Sequence, residues 1–163
     1  LDFSQRAERV FYEMSVVTDA RTAVSVGVRE DGVVAMHDAT ECGIWGGLYE
    51  LAEAAGLGVR VEQEKIVITE CVIEICRYFD IDPYASISEG TLIIICRPHK
   101  AREIVEALSK KDIMASVVGE LTEPEKGMVL VREGREEKLE HPIVDPFWKA
   151  FYGALEKYTS LET

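Results

Sequence analysis

Between Met36 and Gly47 the chain reads MHDATECGIWGG, a window that holds an aspartate, a threonine, a glutamate, a cysteine and three glycines just before a helical pattern begins. A strand that delivers Asp38, Thr40 and Glu41 to a helix start is a geometry in which backbone N–H groups can meet an anion. The first turn of a helix has no internal acceptors for those groups. Gly43, Gly46 and Gly47 would let a ligand or a neighbouring backbone come close. The same residues also fit a plain connection, with Asp38 or Thr40 capping the helix and the glycines serving packing. Residue types and spacing leave both readings open.

Other chemistry in the window is thin. A helix start can lower the pKa of a thiol such as Cys42 and make it a nucleophile. Only His37 stands near it in sequence as a base, so a packing thiol is the plainer expectation. His37 reads as a turn or surface residue, and Trp45 as a core or interface aromatic. No catalytic set is identified. No metal set is expected either, because His37, His99 and His141 are scattered and Cys42, Cys71, Cys76 and Cys96 show no C-x-x-C spacing. Apolar neighbours around the last three cysteines suggest buried free thiols in a reducing compartment.

The elements that must position this window follow from periodicity. Ala7, Val10, Phe11 and Met14 predict an amphipathic helix from Ser4, its N-cap, to about Thr18. A helical stretch through ARTAVSVGV and a REDG turn lead to a short strand, Val33 to Met36. After the window, Ile44, Leu48, Leu51, Ala52 and Ala55 share a helix face that Gly56 ends. VRVEQEKIVI alternates like a half-buried strand, and Thr69 then caps a helix through Phe79. EGTLIIICRP suits a central strand covered on both faces, and Pro98 opens a helix bearing Ala101, Ile104, Val105 and Leu108. IMASVVGELT and GMVLVREG read as a hairpin around EPEKG, with REEKLEHP a polar tail. Asp145 caps a last helix with Pro146 at N1 and Phe147, Phe151 and Leu155 on one face.

This order predicts an α+β fold, layered, with a mixed sheet and helices and a partial ferredoxin-like, split βαβ topology around Pro98 to Leu108. The length of 163 residues fits one domain over 1–163 with a real core. No G-x-G-x-x-G or Walker A motif is present. The net charge of −12 argues against nucleic acid, which needs a basic face. The longest apolar run, Thr91 to Cys96, is too short for a membrane helix. LDFSQRAERVFYEM is charged and amphipathic rather than a secretion signal, so a cytoplasmic protein is expected.

Taken in order, MHDATECGIWGGLYELAEAAGLGVRVEQEKI, SEGTLIIICRPHKAREIVEAL and ASVVGELTE resemble the C-terminal domain of the aminoimidazole-ribonucleotide synthetase (PurM-like) superfamily, above all its hydrogenase-maturation HypE branch and archaeal relatives. Asp38, Thr40, Gly43, Gly47 and Leu48 occupy that branch's helix-opening positions. Ser88, Glu89 and Gly90 match its polar residue, Glu and Gly before a strand, and Gly119 its strand glycine. The likeness spans roughly residues 4 to 150. It implies a nucleotide or substrate contact at Asp38, Thr40, Glu41, Gly43, Gly46, Gly47, Glu89 and Gly90, on a cleft shared with an N-terminal domain of the same protein. That domain is expected to supply most of the ATP and Mg2+ binding and to form a homodimer. It is absent from this sequence, which opens at Leu1 rather than at a methionine.

Three departures from the family pattern shape the expectation. Cys42 replaces a glycine, Glu41 an arginine and Ser88 an asparagine; a carboxylate at Glu41 disfavours a bare phosphate, so contact there calls for a metal between them. The chain ends EKYTSLET, without the terminal cysteine that accepts the carbamoyl group in HypE. The fragment alone is therefore expected to be inactive. Two other readings compete: an interaction or oligomerisation module anchored by Phe147, Trp148, Phe151 and Tyr152, and a relative of thiamine-monophosphate kinase or selenophosphate synthetase.

Overall fold

The computed structural model describes residues 3–12 and 14–159. Among them run helices α1 (Phe3–Phe11) and α2 (Val17–Val26), strand β1 (Val33–Ala39), helix α3 (Gly43–Ala55), strand β2 (Gly58–Glu62) and helix α4 (Glu70–Phe79). Strand β3 (Thr91–Cys96), helix α5 (Ala101–Ser109), strands β4 (Gly119–Thr122), β5 (Met128–Arg132) and β6 (Arg135–Lys138), and helix α6 (Pro146–Thr159) complete the order. The α+β class with layered sheets and helices holds. One sheet is the antiparallel pair β1 and β3; the other is mixed, in the order β4-β2-β5-β6, with β2 and β5 parallel.

Two apolar clusters lie on opposite sides of the β1–β3 pair. On one side Ala39 and Ile93 meet Trp45, Leu48 and Ala52 of α3 and Val59, Val61 and Leu130 of the four-stranded sheet. On the other, Val33 joins Ala23 of α2 and Ile104 and Leu108 of α5. Simple alternation would put Val33 and Ala39 on one face, because strand side chains repeat every two residues. A register shift between Val33 and Ala35 changes the face, as an extra residue in one strand must. Each large aliphatic side chain buried here contributes about 1.5–3 kcal/mol. β3 is thus covered on both faces as its isoleucines predict, but it is not central, since among the described residues it pairs with β1 alone.

The helix that carries the motif behaves as its periodicity predicts. Leu48 and Ala52 face the core, and Gly56 closes α3 in the left-handed region at φ 65°. The Gly56 N–H reaches Glu53 O at 3.0 Å and the Leu57 N–H reaches Ala52 O at 3.0 Å, the pairing of a glycine-ended helix.

Several element-level expectations need correction. The first predicted helix, α1, ends at Phe11 rather than near Thr18, and the helical stretch expected after it is α2, which begins at Val17; the Ser4 cap and the Ala7 contact lie outside the described side chains. β1 runs on through Asp38 and Ala39, past its expected end at Met36. Thr69 sits at the N-cap of α4, yet its hydroxyl makes no cap bond. β4 and β5 do not form a hairpin: β2 lies between them. The Pro124–Lys126 turn crosses the end of β2, where a Cβ on Gly58 would stand 2.6 Å from Gly127 O and 2.9 Å from Glu123 O. Only a glycine allows that crossing. The supposed polar tail is a strand, because Glu133 and Gly134, both left-handed at φ 50° and 73°, make a two-residue turn that pairs β6 with β5.

Candidate functional site

β1 delivers Ala39 to a turn, Thr40-Glu41-Cys42, from which α3 departs. Cys42 and Gly43 both adopt left-handed backbone, at φ 64° and 61°. Glycine accepts that region freely, whereas a cysteine there carries strain of about 1–2 kcal/mol. The strained residue is held by a remote group. The Cys42 N–H donates to Asp145 Oδ2 at 2.7 Å, across 103 residues of sequence.

The other donors at the helix start are also satisfied internally. Gly43 N–H reaches Thr40 O at 3.1 Å, Trp45 N–H reaches Tyr84 O at 3.1 Å, and Gly46 N–H reaches Cys42 O at 3.0 Å. Asp38 and Thr40 are exposed and neither caps α3 with its side chain. The expected cap is supplied instead by Asp145. A bare anion arriving at this turn therefore finds its Cys42, Gly43 and Trp45 donors already taken.

The three glycines fit α3 against its surroundings. A Cβ on Gly43 would lie 2.5 Å from Tyr84 O and 2.7 Å from Ser86 O. One on Gly46 would be 2.7 Å from Cys42 Cβ, and one on Gly47 would be 2.8 Å from Ile93 Cδ1 and 3.0 Å from His37 Cδ2. All three are buried beneath the turn, while Asp38, Thr40 and Glu41 form its exposed rim. Trp45 is core, stacked on Tyr84 with ring centres 5.1 Å apart.

The second motif element comes to the first. Ser88 N–H donates to Thr40 O at 3.1 Å, and the Ser88 hydroxyl donates to Ala39 O at 3.1 Å. Register continues the contact, with Ala39 opposite Thr91. Glu89 and Gly90 are thereby exposed on the loop beside Thr40, Gly90 left-handed at φ 91°. Gly119 is not part of this site. It lies on β4 opposite Val61, where a Cβ would run into Arg60 O.

Electrostatics at the turn are acidic. Burial pushes the Cys42 thiol pKa up, and the carboxylates of Asp145, Glu50 and Glu41 push it further. A neutral thiol is a poor nucleophile, so Cys42 packs rather than reacts. His37 and His141 both approach Glu50, at 3.4 and 3.1 Å. Among the described residues no cluster of three or more His, Cys, Asp or Glu has the spacing of a metal site. A shallow depression of about 380 Å3 lies elsewhere, on the outer face of the four-stranded sheet. Its Arg60 is already paired with Glu62 at 3.5 Å and Glu136 at 3.2 Å, which leaves little charge for a ligand.

Residue spacing missed the C-terminal contributions. Asp145 is only 3% exposed; besides Cys42 it accepts from the Phe147 N–H at 2.8 Å and the Ser86 hydroxyl at 3.4 Å. The Phe147 bond is the predicted cap of α6. The Cys42 bond had no local signal. Trp148 Nε1–H donates to Glu41 Oε1 at 3.2 Å, again joining α6 to the turn.

Comparison with known proteins matches residues 2–139 to the C-terminal domain of the AIR synthase related proteins. A hydrogenase expression/formation protein of Methanocaldococcus jannaschii is 28% identical over 123 residues, 73% of this chain and 37% of that protein. The carbamoyl dehydratase HypE of Escherichia coli is 26% identical over 117 residues, 71% of this chain and 35% of the relative. The crystal structure of E. coli HypE superposes with a TM-score of 0.69 at 25% identity, covering 80% of this chain and 41% of that one. A HypE solved in complex with ATP shares the fold, with a TM-score of 0.60 at 22% identity over 67% of this chain and 36% of the other. This chain thus spans about two fifths of the length of the proteins it matches.

Proposed function

This chain belongs to the AIR synthase related family as a HypE-like C-terminal domain, and from that premise we propose that it forms one half of an ATP-using cytoplasmic protein of hydrogenase maturation. The exposed rim Asp38, Thr40 and Glu41, with Glu89 and Gly90 beside it, faces a cleft shared with an N-terminal ATP-binding domain; Gly43, Gly46 and Gly47 seat the rim from below. The observation that carries this reading is the joining of two separate motif elements at Thr40 and Ser88. Support also comes from the relatives, one named for carbamoyl dehydration and another of this fold solved with ATP.

The residues present fit a metal-bound nucleotide better than a bare phosphate. The backbone donors of the turn are occupied, and its exposed side chains Glu41, Asp38 and Glu89 are carboxylates, which attract cations and repel anions. Mg2+ and the polyphosphate therefore rest chiefly on the N-terminal domain, and ATP supplies activation of an amide or carbamoyl oxygen. The two-domain protein is a homodimer through that N-terminal part. Calorimetric titration of Mg-ATP tests the reading. We expect binding by this chain joined to a HypE-type N-terminal domain and none by this chain alone; absence of binding and hydrolysis in the joined protein refutes it.

A second reading has its own observation. Trp148, Phe151, Tyr152 and Leu155 on α6 are all exposed, and aromatic residues concentrate at interfaces. Under this reading the domain is an interaction module, and light scattering after size-exclusion chromatography finds it self-associated rather than monomeric.

A further inference from the structure

Asp145 is the one carboxylate that the fold buries among the described residues, at 3% exposure, and it lies beyond Leu139, where the family match ends. Donors from three segments converge on it, and its two oxygens divide them. Oδ1 takes the Phe147 N–H at 2.8 Å and the Ser86 hydroxyl at 3.4 Å. Oδ2 serves the turn alone, accepting the Cys42 N–H at 2.7 Å. We infer that Asp145 is the positioning residue of the rim: acting through the Cys42 N–H, it holds the turn in the left-handed form that presents Thr40 and Glu41 beside Glu89 and Gly90.

The turn needs such a hold at Cys42 and not at its neighbour. Cys42 and Gly43 are left-handed in succession, at φ 64° and 61°. Glycine adopts that region freely, whereas the Cβ of Cys42 opposes it. The bonds that close the turn locally, Gly43 N–H to Thr40 O and Gly46 N–H to Cys42 O, leave the Cys42 N–H unused. Cys42 is itself buried, so this donor without Asp145 has no acceptor and no water. Strain and the unpaired donor then act in the same direction, and both are relieved when Cys42 rotates out of the left-handed region.

That rotation moves the rim. Thr40 and Glu41 directly precede Cys42, and Thr40 O is the acceptor that receives the Ser88 N–H and so joins the two motif segments. The remaining contact from α6 cannot substitute, because Trp148 reaches only the Glu41 side chain. Asp38 and Thr40 supply no cap of their own. A carboxylate accepting a backbone N–H makes a charge-assisted bond, stronger than a neutral one, which suits a group that must outweigh a standing strain. The effect of Asp145 on a ligand rests on the cleft reading of the rim; its effect on the turn does not.

Amide hydrogen exchange of the full chain, read by NMR, tests the hold on the turn. The Ser88 amide reports the rim, since its acceptor is Thr40 O, and the Leu48 and Leu51 amides of α3 report the integrity of the fold. In Asp145→Ala we expect Ser88 exchange to rise about tenfold, the factor that loss of one bond to a charged acceptor represents, with Leu48 and Leu51 unchanged. Asp145→Asn keeps an oxygen that can accept the Cys42 N–H and gives a smaller rise; it carries the comparison if Asp145→Ala does not fold. Adding Cys42→Gly to Asp145→Ala returns Ser88 to the unmodified rate, because glycine keeps the left-handed turn unaided. Adding Cys42→Ala does not, although both substitutions remove the thiol.

Calorimetric titration of Mg-ATP into the two-domain protein then reads the consequence. Affinity falls about tenfold in Asp145→Ala and is rescued by Cys42→Gly alone. Ser88 exchange that stays constant in Asp145→Ala, that rises only together with Leu48 and Leu51, or that responds alike to glycine and alanine at position 42 overturns the inference. So does an affinity that stays constant while Ser88 moves. Failure of the unmodified two-domain protein to bind Mg-ATP would instead remove the cleft reading, and the Ser88 pattern would still decide whether Asp145 sets the turn.

Discussion

Replacing Gly43 by alanine probes the seat of the turn, and a matched control isolates its cause. At Gly43 two effects act together. The residue is left-handed, which costs an alanine about 1–2 kcal/mol, and its new Cβ would stand 2.5 Å from Tyr84 O and 2.7 Å from Ser86 O. Those atoms are backbone and cannot rotate away, so the 84–86 loop must shift; overpacking of this kind costs about 1–3 kcal/mol. Gly56 is also left-handed, at φ 65°, but nothing lies within 4 Å of its would-be Cβ. Gly56→Ala therefore carries the backbone strain alone. Gly43→Ala should lose about 3 kcal/mol, equivalent to about 6–12 °C in Tm for a domain of this size, and Gly56→Ala about half as much or less. Urea unfolding followed by far-ultraviolet circular dichroism measures both, with equal m-values confirming that the transition is the same. If the two variants lose the same stability within about 0.5 kcal/mol, the clamp of α3 beneath Tyr84 and Ser86 is wrong.

Two titration effects give further checks. Because burial, and then Asp145, Glu50 and Glu41, raise the Cys42 thiol pKa, its contribution to stability is fully present below the ordinary thiol value and fades as pH rises through the folded one. Alkylation of Cys42 at neutral pH should accordingly be slower than that of the same chain unfolded in urea; equal rates would contradict the assignment. Glu64 behaves oppositely, since the Glu133 N–H donates to its carboxylate at 2.6 Å and lowers its pKa. The bond's contribution is present above the ordinary carboxylate value and lost as pH falls through the folded one. The stability difference between the unmodified chain and Glu64→Gln should therefore shrink on acidification, and a difference that stays constant from neutral pH into the acid range would be inconsistent with that bond.

What could be read from the sequence was local. Gly56 ends α3, Pro98 opens the turn into α5, and Asp145 caps α6, because each signal and its effect lie within one helical turn. Strand pairing depends on contacts distant in sequence, so the EPEKG turn looked like a hairpin although β2 inserts between its arms. Gly58 holds the reason, and its spacing alone carried no sign of it. The polar strand β6 escaped for another cause. All four of its residues are exposed, which removes the alternation that marks a half-buried strand.

At the turn, family likeness grouped Asp38, Thr40 and Glu41 with Glu89 and Gly90, and a hydrogen bond from Ser88 to Thr40 brings the two segments that carry them together. Their neighbours His141, Asp145 and Trp148 were not legible, since no short-range pattern links position 42 to position 145. The tie changes the meaning of the motif. A helix start that resembled an open anion site is closed by a carboxylate from the chain itself.

The most direct test of the interdomain-cleft account is a two-dimensional amide NMR titration of Mg-ATP into this chain paired with a HypE-type N-terminal domain. The account predicts that the resonances that move on this chain belong to the Asp38–Gly47 turn and the Ser88–Gly90 loop. Shifts confined to the Arg60, Glu120 and Lys126 face of the four-stranded sheet, or shifts of equal size without the N-terminal domain, would contradict it.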